Sequence, residues 1–256
     1  MKLVNKVAVI TGGGSGYGEG MATLFAENGA TVAVADINLE AATCVADAIN
    51  KNGGNAFPVE VDVSNNDSMA AMAEATLGHA SNGSNRIDIF VNNAGITHKN
   101  GPMLGVDEAT YDRIFAVNVK SVYLSAMHVV PIFRKQGGGV FLNIASTAGV
   151  RPRPGLTWYN STKGAVITMT KSMAVELAPD KIRVNAINPV AGDTPLLHQF
   201  LPGEDTPEIR QKFKDTIPLG RLSLPIDIAK AALFLTSDDG EFLTGVCLEV
   251  DGGRCI

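Results

Sequence analysis

Six short, predominantly apolar runs punctuate the chain, at 7–10, 32–35, 87–91, 140–144, 184–187 and 246–250. They are rich in Val and Ile and read as continuous rather than alternating, the pattern of strands buried on both faces. Between them, segments at 18–28, 39–51, 67–77, 109–135, 159–178 and 227–236 carry apolar residues at helical spacing. Strands alternating with helices predict an α/β fold around a parallel sheet with right-handed crossovers. No repeat, low-complexity tract or composition break marks a linker, so residues 1–256 are expected to form one domain.

Two stretches interrupt the rhythm. Residues 79–85 are polar and rich in Gly, Ser and Asn, which predicts a surface loop. Residues 192–222 form a longer excursion containing Pro195, Pro202, Pro207 and Pro218 and ending in Leu219-Gly220-Arg221. It follows a strand end at Asn188-Pro189, the place where ligands of open α/β sheets bind. The expectation is a substrate lid with one or two short helices.

Composition narrows the class. Apolar residues make up 45% and charged residues 18%, ordinary for a globular enzyme. A net charge of −5 argues against nonspecific nucleic-acid binding, which needs clustered Lys and Arg. No run of about 18 apolar residues suggests a bilayer span, and the N-terminus lacks a signal-peptide pattern. A cytoplasmic protein without membrane partners is therefore expected. Cys44, Cys247 and Cys255 form no CxxC pair and no metal-ligand spacing, so free thiols and no metal site are expected.

The first strand runs into Thr11-Gly12-Gly13-Gly14-Ser15-Gly16-Tyr17-Gly18 and then a helix. Glycines here allow a sharp turn and let backbone N–H groups approach a pyrophosphate at the helix N-terminus. A mere tight turn is the competing reading of the glycines alone. Asp36 ends the second strand, eighteen residues after Gly18, where an acid can accept hydrogen bonds from the adenosine ribose. The same carboxylate repels a 2′-phosphate. Ser15 and Ile37, expected on the same cofactor-binding surface, bring no compensating cation, nor does Asn38. NAD is therefore expected over NADP.

Tyr159 and Lys163, four apart at the start of a predicted helix, share a face. A free tyrosine has a pKa of about 10, and a neighbouring ammonium stabilises its phenolate. Ser146, thirteen residues upstream at the end of a buried strand, can donate to a substrate oxygen.

Taken with Asp62-Val63, Asn92-Asn93-Ala94-Gly95, Asn118, Asn188-Pro189 and Val250-Asp251-Gly252-Gly253, these motifs cover nearly the whole chain. In that order the sequence resembles the short, single-domain branch of the short-chain dehydrogenase/reductase family. The resemblance implies a Rossmann-type doubly wound sheet of seven parallel strands, order 3-2-1-4-5-6-7, with helices on both faces. It implies hydride transfer between a nicotinamide and a small-molecule substrate, in a homotetramer with the C-terminal segment at an interface. Tyr159 is then the general acid/base, Lys163 tunes it and holds the nicotinamide ribose, and Ser146 steadies the reacting oxygen. Asn118 anchors a water of a proton relay. Asp62 and Val63 flank the adenine, Asn92, Ala94 and Gly95 line the cofactor, and Thr194 holds its carboxamide. Two positions depart from the family pattern. Tyr17 replaces a small aliphatic residue, which alters the floor near the nicotinamide. Val190 replaces a glycine, with Gly192 two residues on.

The shared motifs name no substrate. Arg151 and Arg153 lie on a proline-containing loop between Ser146 and Tyr159, where guanidinium groups can clamp a carboxylate or sulfonate. Solvation or a subunit contact is the other reading of these arginines. The stretch 149–159 resembles relatives acting on anionic alcohols and keto acids. His98, His198 and Trp158 are further candidates for the pocket wall. The expected activity is interconversion of a secondary alcohol, small, sugar-derived or anionic, with its ketone or lactone. A 3-oxoacyl thioester reductase and a non-catalytic dinucleotide sensor are the alternatives. Asp36 counts against the first, and retention of Asn118, Ser146, Tyr159 and Lys163 together counts against the second.

Overall fold

The computed structural model of the protein describes residues 1–79 and 85–256. Seven strands pair in parallel in the order 3-2-1-4-5-6-7: β1 (Val7–Thr11), β2 (Thr31–Asp36), β3 (Asn55–Glu60), β4 (Ile89–Asn92), β5 (Gly139–Ile144), β6 (Ile182–Pro189) and β7 (Cys247–Val250). The strand order reverses between β1 and β4, whose C-terminal ends therefore part and leave a crevice.

Both faces of the sheet are covered, as the continuous apolar runs require. Ala8 and Ile10 point to one side with Val32, Val34, Ile89 and Val91, against α1 (Gly16–Glu27), α2 (Leu39–Lys51) and α9 (Pro225–Thr236). Val9, Ala33, Phe90 and Phe141 point to the other, against α3 (Asn66–His79), α5 (Ser121–Gln136) and α6 (Thr157–Leu177). Successive residues of one strand thus feed different cores, which is why no polar alternation is visible.

The third strand was absent from the apolar runs. Its sequence, Asn55-Ala56-Phe57-Pro58-Val59-Glu60, has three buried and three exposed positions because it is an edge strand. Pro58 is tolerated there, since the missing N–H faces no neighbour. The helix expected at 109–135 is also not uniform. It runs as α4 (Glu108–Phe115), a π turn at Ala116–Lys120, and α5. By length and composition the combined helix is apolar enough to cross a membrane, contrary to the sequence expectation, but half of that stretch is buried within the fold. The surface loop expected at 79–85 lies, between its two ends, outside the described residues.

The excursion after β6 contains two short helices, α7 (Leu197–Phe200) and α8 (Pro207–Lys214). It closes on its own small core of Val190, Leu197, Leu201, Phe213, Ile217 and Leu222. Among the described residues the three cysteines are free.

Phe133 of α5 is fully buried and packs on Phe141 with ring centroids 5.0 Å apart. Phe133→Ala is expected to lower stability by about 3–5 kcal/mol through the cavity it leaves. A urea titration followed by circular dichroism measures this.

Candidate active site

The crevice is built from the strand ends upward. Where β1 and β4 diverge, the Thr11 hydroxyl donates to the Val91 carbonyl (3.1 Å) and accepts from the Asn93 and Ala94 N–H groups (3.0 and 3.1 Å). The Asn93 side-chain amide donates back to the Thr11 and Gly12 carbonyls. This draws the two turns so close that a Cβ on Gly12 would stand 2.9 Å from the Ala94 Cα, and Gly12 has φ +64°, so glycine is required twice over. Asp36 is held in place by the Gly14 and Asn38 N–H groups, at 2.9 and 3.0 Å. Each of its oxygens keeps a lone pair for a ligand.

Ser146, two residues past the end of β5, is in extended conformation and accepts from the Ala148 N–H at 3.1 Å. Tyr159 is the third residue of α6, with Lys163 one turn on. The Lys163 ammonium donates to the Ile144 carbonyl at 2.8 Å and lies 5.8 Å from the centre of the Tyr159 ring. Burial dominates both groups. It pushes the Tyr159 phenol up to about 12, with the Ser146 hydroxyl pulling the other way, and pushes Lys163 down to about 8. The expectation that Lys163 lowers Tyr159 is thus overridden by desolvation.

Asn118 sits in the π turn and points inward. It accepts from the Ile96 N–H (2.9 Å) and donates to the Ile96 carbonyl (2.8 Å) and the Thr162 hydroxyl (3.0 Å). Thr162 in turn donates to the Tyr159 carbonyl. Both amide protons of Asn118 are therefore engaged, and only the second lone pair of its oxygen remains for a water.

Most of the expected residues line one cleft with a volume of about 510 Å³, while Asn118 lies behind its wall. Gly12, Ser15, Gly16, Tyr17, Asp36, Ile37, Asp62, Val63, Ala94, Gly95, Ser146, Tyr159, Lys163, Gly192 and Thr194 all face it. Asp62 receives both the hydroxyl and the N–H of Ser64, and the hydroxyl bond is the main cause holding its carboxyl below the usual range. The cleft fits a dinucleotide: its glycines leave space and backbone N–H groups where side chains would intrude, and Asp36 stands at one end.

Several expected residues lie elsewhere. Asn92 is buried and donates to Asn143 (2.9 Å), its neighbour Asn93 taking the place on the wall. Gly18 packs against the Gly12 carbonyl inside the turn. Arg151 faces away and donates to the Arg254 and Ile256 carbonyls at 2.6 and 3.3 Å. His98 is buried off the cleft, His198 bonds the Pro195 carbonyl, and Trp158 donates to the Met103 carbonyl. Arg153 does face the cleft. Its guanidinium lies 4.0 Å from the centre of the Phe213 ring, and its buried Nη2 has no hydrogen-bond partner. Burial, reinforced by Arg254 and Arg151, pulls it down to about 10.

Sequence reading missed the aromatic wall. Phe200 meets Tyr159 edge-to-face at 5.1 Å, and Phe200 and Phe213 both come from the excursion after β6. Arg113 of α4 was missed as well. The available signal was one aromatic residue in each of the two short helices.

Comparison with known proteins finds relatives over nearly the whole chain. The family profile described as enoyl-(acyl carrier protein) reductase matches residues 12–254. The 4-formylbenzenesulfonate dehydrogenase of Comamonas testosteroni is 48% identical over 256 residues, covering 100% of both chains. A 3-ketoacyl-(acyl-carrier-protein) reductase from Brucella melitensis, solved with NADH, is 48% identical with a TM-score of 0.91, over 99% of this chain and 100% of that one. A 7α-hydroxysteroid dehydrogenase solved with NADH and 7-oxo-glycochenodeoxycholic acid is 38% identical with a TM-score of 0.90, over 98% and 95%.

Tyr159 keeps its proton up to about 12, and the first proton of the two groups leaves Lys163 near pH 8, the value to which burial lowers it. Loss of that proton generates the base form of the pair, so kcat/KM for oxidation of an alcohol rises with pH up to about 8 and levels above it. A rate profile from mildly acid to alkaline pH checks this; a flat profile contradicts it.

Proposed function

Because this chain belongs to the short-chain dehydrogenase/reductase family, we propose that it is an NAD-dependent dehydrogenase for a small alcohol bearing a carboxylate or sulfonate. The product is the corresponding carbonyl compound. That the chain is an oxidoreductase acting on CH–OH groups follows from its relatives. The observation carrying the charge preference is the Arg153 Nη2, buried in the cleft without a partner. A guanidinium group stripped of water and left unpaired is unfavourable until an anion meets it. Phe213 beneath it and Phe200 beside Tyr159 give the path between the two ends a flat apolar wall. The name of the Comamonas relative, a formyl arenesulfonate dehydrogenase, supports an anionic and aromatic substrate, so benzylic alcohols belong to the class.

In this reading Gly12, Ser15, Gly16, Asp36, Ile37, Asp62, Val63, Ala94, Gly95, Gly192 and Thr194 hold the dinucleotide, whose nicotinamide supplies the hydride chemistry. Asp36 favours NAD because a 2′-phosphate would meet its carboxylate. The protein handles the proton. Tyr159 takes it from the alcohol or gives it to the carbonyl, with Ser146 donating to the same oxygen. Lys163 holds the ribose in place and stabilises the charge that develops on the Tyr159 oxygen as its proton moves. Asn118 is a positioning residue, fixing the Ile96 turn and, through Thr162, the start of α6. The segment 192–222 is the substrate lid, since it supplies Phe200 and Phe213.

The Brucella structure favours a second reading, reduction of 3-oxoacyl thioesters, which predicts turnover of a thioester substrate. We also place the chain in a homotetramer. Tyr123 and Met127, one turn apart on α5, are each 54% exposed, an apolar stripe suited to a subunit contact. A light-scattering mass four times that of the chain supports this; a monomer mass refutes it.

The deciding experiment measures NADH formation with paired neutral and anionic alcohols, repeated with NADP. Activity is expected with NAD and the anionic members. Arg153→Ala is expected to lower kcat/KM for these by about ten- to a hundredfold, the loss of one charge-assisted contact. Arg151→Ala should leave it near wild type. Equal loss with neutral and anionic substrates retires the anion role, and exclusive thioester reduction with NADPH replaces the whole reading.

A further inference from the structure

Tyr17 and Val190, the two positions where the chain departs from its family pattern, meet in the structure, with Gly192 against the same ring. Tyr17 lies between Gly16 and Gly18 at the start of α1 and forms part of the cleft wall. Its hydroxyl reaches across the crevice to the far side. There it stands 3.1 Å from the Val190 carbonyl oxygen and 2.6 Å from the Ser223 hydroxyl. Two arrangements use each proton once: Tyr17 donates to Val190 while Ser223 donates to Tyr17, or Tyr17 donates to Ser223 while Ser223 donates to the Val190 or Ala191 carbonyl, at 3.3 and 3.5 Å.

These two partners mark both ends of the excursion that carries Phe200 and Phe213. Val190 is where the chain leaves β6, and Ser223 is where it approaches α9. The ends are already joined by backbone. The Asp193 N–H donates to the Ser223 carbonyl at 3.0 Å, and the Ser223 N–H to the Ala191 carbonyl at 3.3 Å. Tyr17 adds the link from this junction to the glycine turn. Its ring also explains Gly192, whose φ is not in the left-handed region. A Cβ at 192 would stand 2.0 Å from the Tyr17 hydroxyl oxygen and 2.6 Å from the ring carbon bearing it. Backbone freedom does not call for glycine here; the ring does.

We propose that Tyr17 is a positioning residue that pins both ends of the 191–222 segment to the glycine turn, so that ordering one orders the other. This goes beyond the substrate assignment and rests only on the turn being the dinucleotide site. Bound dinucleotide and the aromatic wall then stabilise each other through one phenol. Burial keeps that phenol protonated, raised far above its ordinary value, so the pin persists across the working pH range.

The test uses four proteins: wild type, Tyr17→Phe, Gly192→Ala and the double variant Tyr17→Ala/Gly192→Ala. NADH binding is followed by fluorescence titration, and backbone ordering by hydrogen–deuterium exchange. Tyr17→Phe keeps the ring and removes only the hydroxyl. It is expected to raise the NADH Kd about three- to tenfold, the loss of one hydrogen bond. Exchange should rise at residues 190–196 and 219–224 together, while β1 and β5 stay at wild-type rates. Gly192→Ala should weaken NADH more strongly, and the double variant should recover part of that loss. Wild-type Kd and exchange in Tyr17→Phe overturn the proposal, as does faster exchange at one end alone. Strict additivity of the two substitutions overturns the pairing of Tyr17 with Gly192. If the wild-type chain binds neither NADH nor NADPH, the reading of the turn fails, and the exchange comparison in the free protein still decides the pin.

Discussion

The hydroxyl of Thr11 sits at the one place in the sheet where neighbouring strands separate. A parallel ladder ordinarily satisfies its own backbone groups, but where β1 and β4 diverge the first N–H groups after β4 lose their strand partner. Thr11 is 1% exposed, so water is not available to replace it. One donor and two acceptor sites on a single oxygen meet one carbonyl and two N–H groups, with no capacity left over. Everything nearer the ligand is referred to this point. The glycine turn cannot lie closer because Ala94 is in contact, and it cannot lie farther without breaking the bonds from Asn93.

Burial shapes the ionisable groups in two opposite ways. Lys163 is deep but has a carbonyl partner, and its ammonium is weakened rather than abolished. Arg153 has an aromatic face and no oxygen, so its desolvation is uncompensated in the free protein. The first arrangement adjusts a proton affinity, and the second stores a preference for one kind of ligand. Both depend on the same exclusion of water, which the α7–α8 segment completes.

Much of this was legible in the sequence for a physical reason. Strands buried on both faces cannot hide their apolar runs, and the glycine turn, Asp36, Ser146, Tyr159 and Lys163 sit at or just past strand ends or in the first two turns of a helix, positions that chain order fixes. The edge strand β3 escaped because half its residues face water and Pro58 interrupts the run. The aromatic wall escaped because Phe200 and Phe213 are brought to Tyr159 by packing alone, with no periodic signal. Arg151 and Arg153 show the limit most sharply. They are two residues apart on one loop, yet one faces the cleft and the other the C-terminal carbonyls. Irregular backbone has no period from which facing could be read.

The π turn at Ala116–Lys120 also determines how α4 and α5 are phased. A helix advances about 100° per residue, so one surplus residue in a turn rotates all that follows by roughly that angle. Upstream of it, Arg113 faces the cleft; downstream, Val129 and Phe133 pack into the core beneath the sheet. A regular helix of the same length could present only one of these two surfaces correctly. The wide turn works as a phase adjuster in an otherwise rigid rod, and Asn118 occupies the place where the adjustment is made.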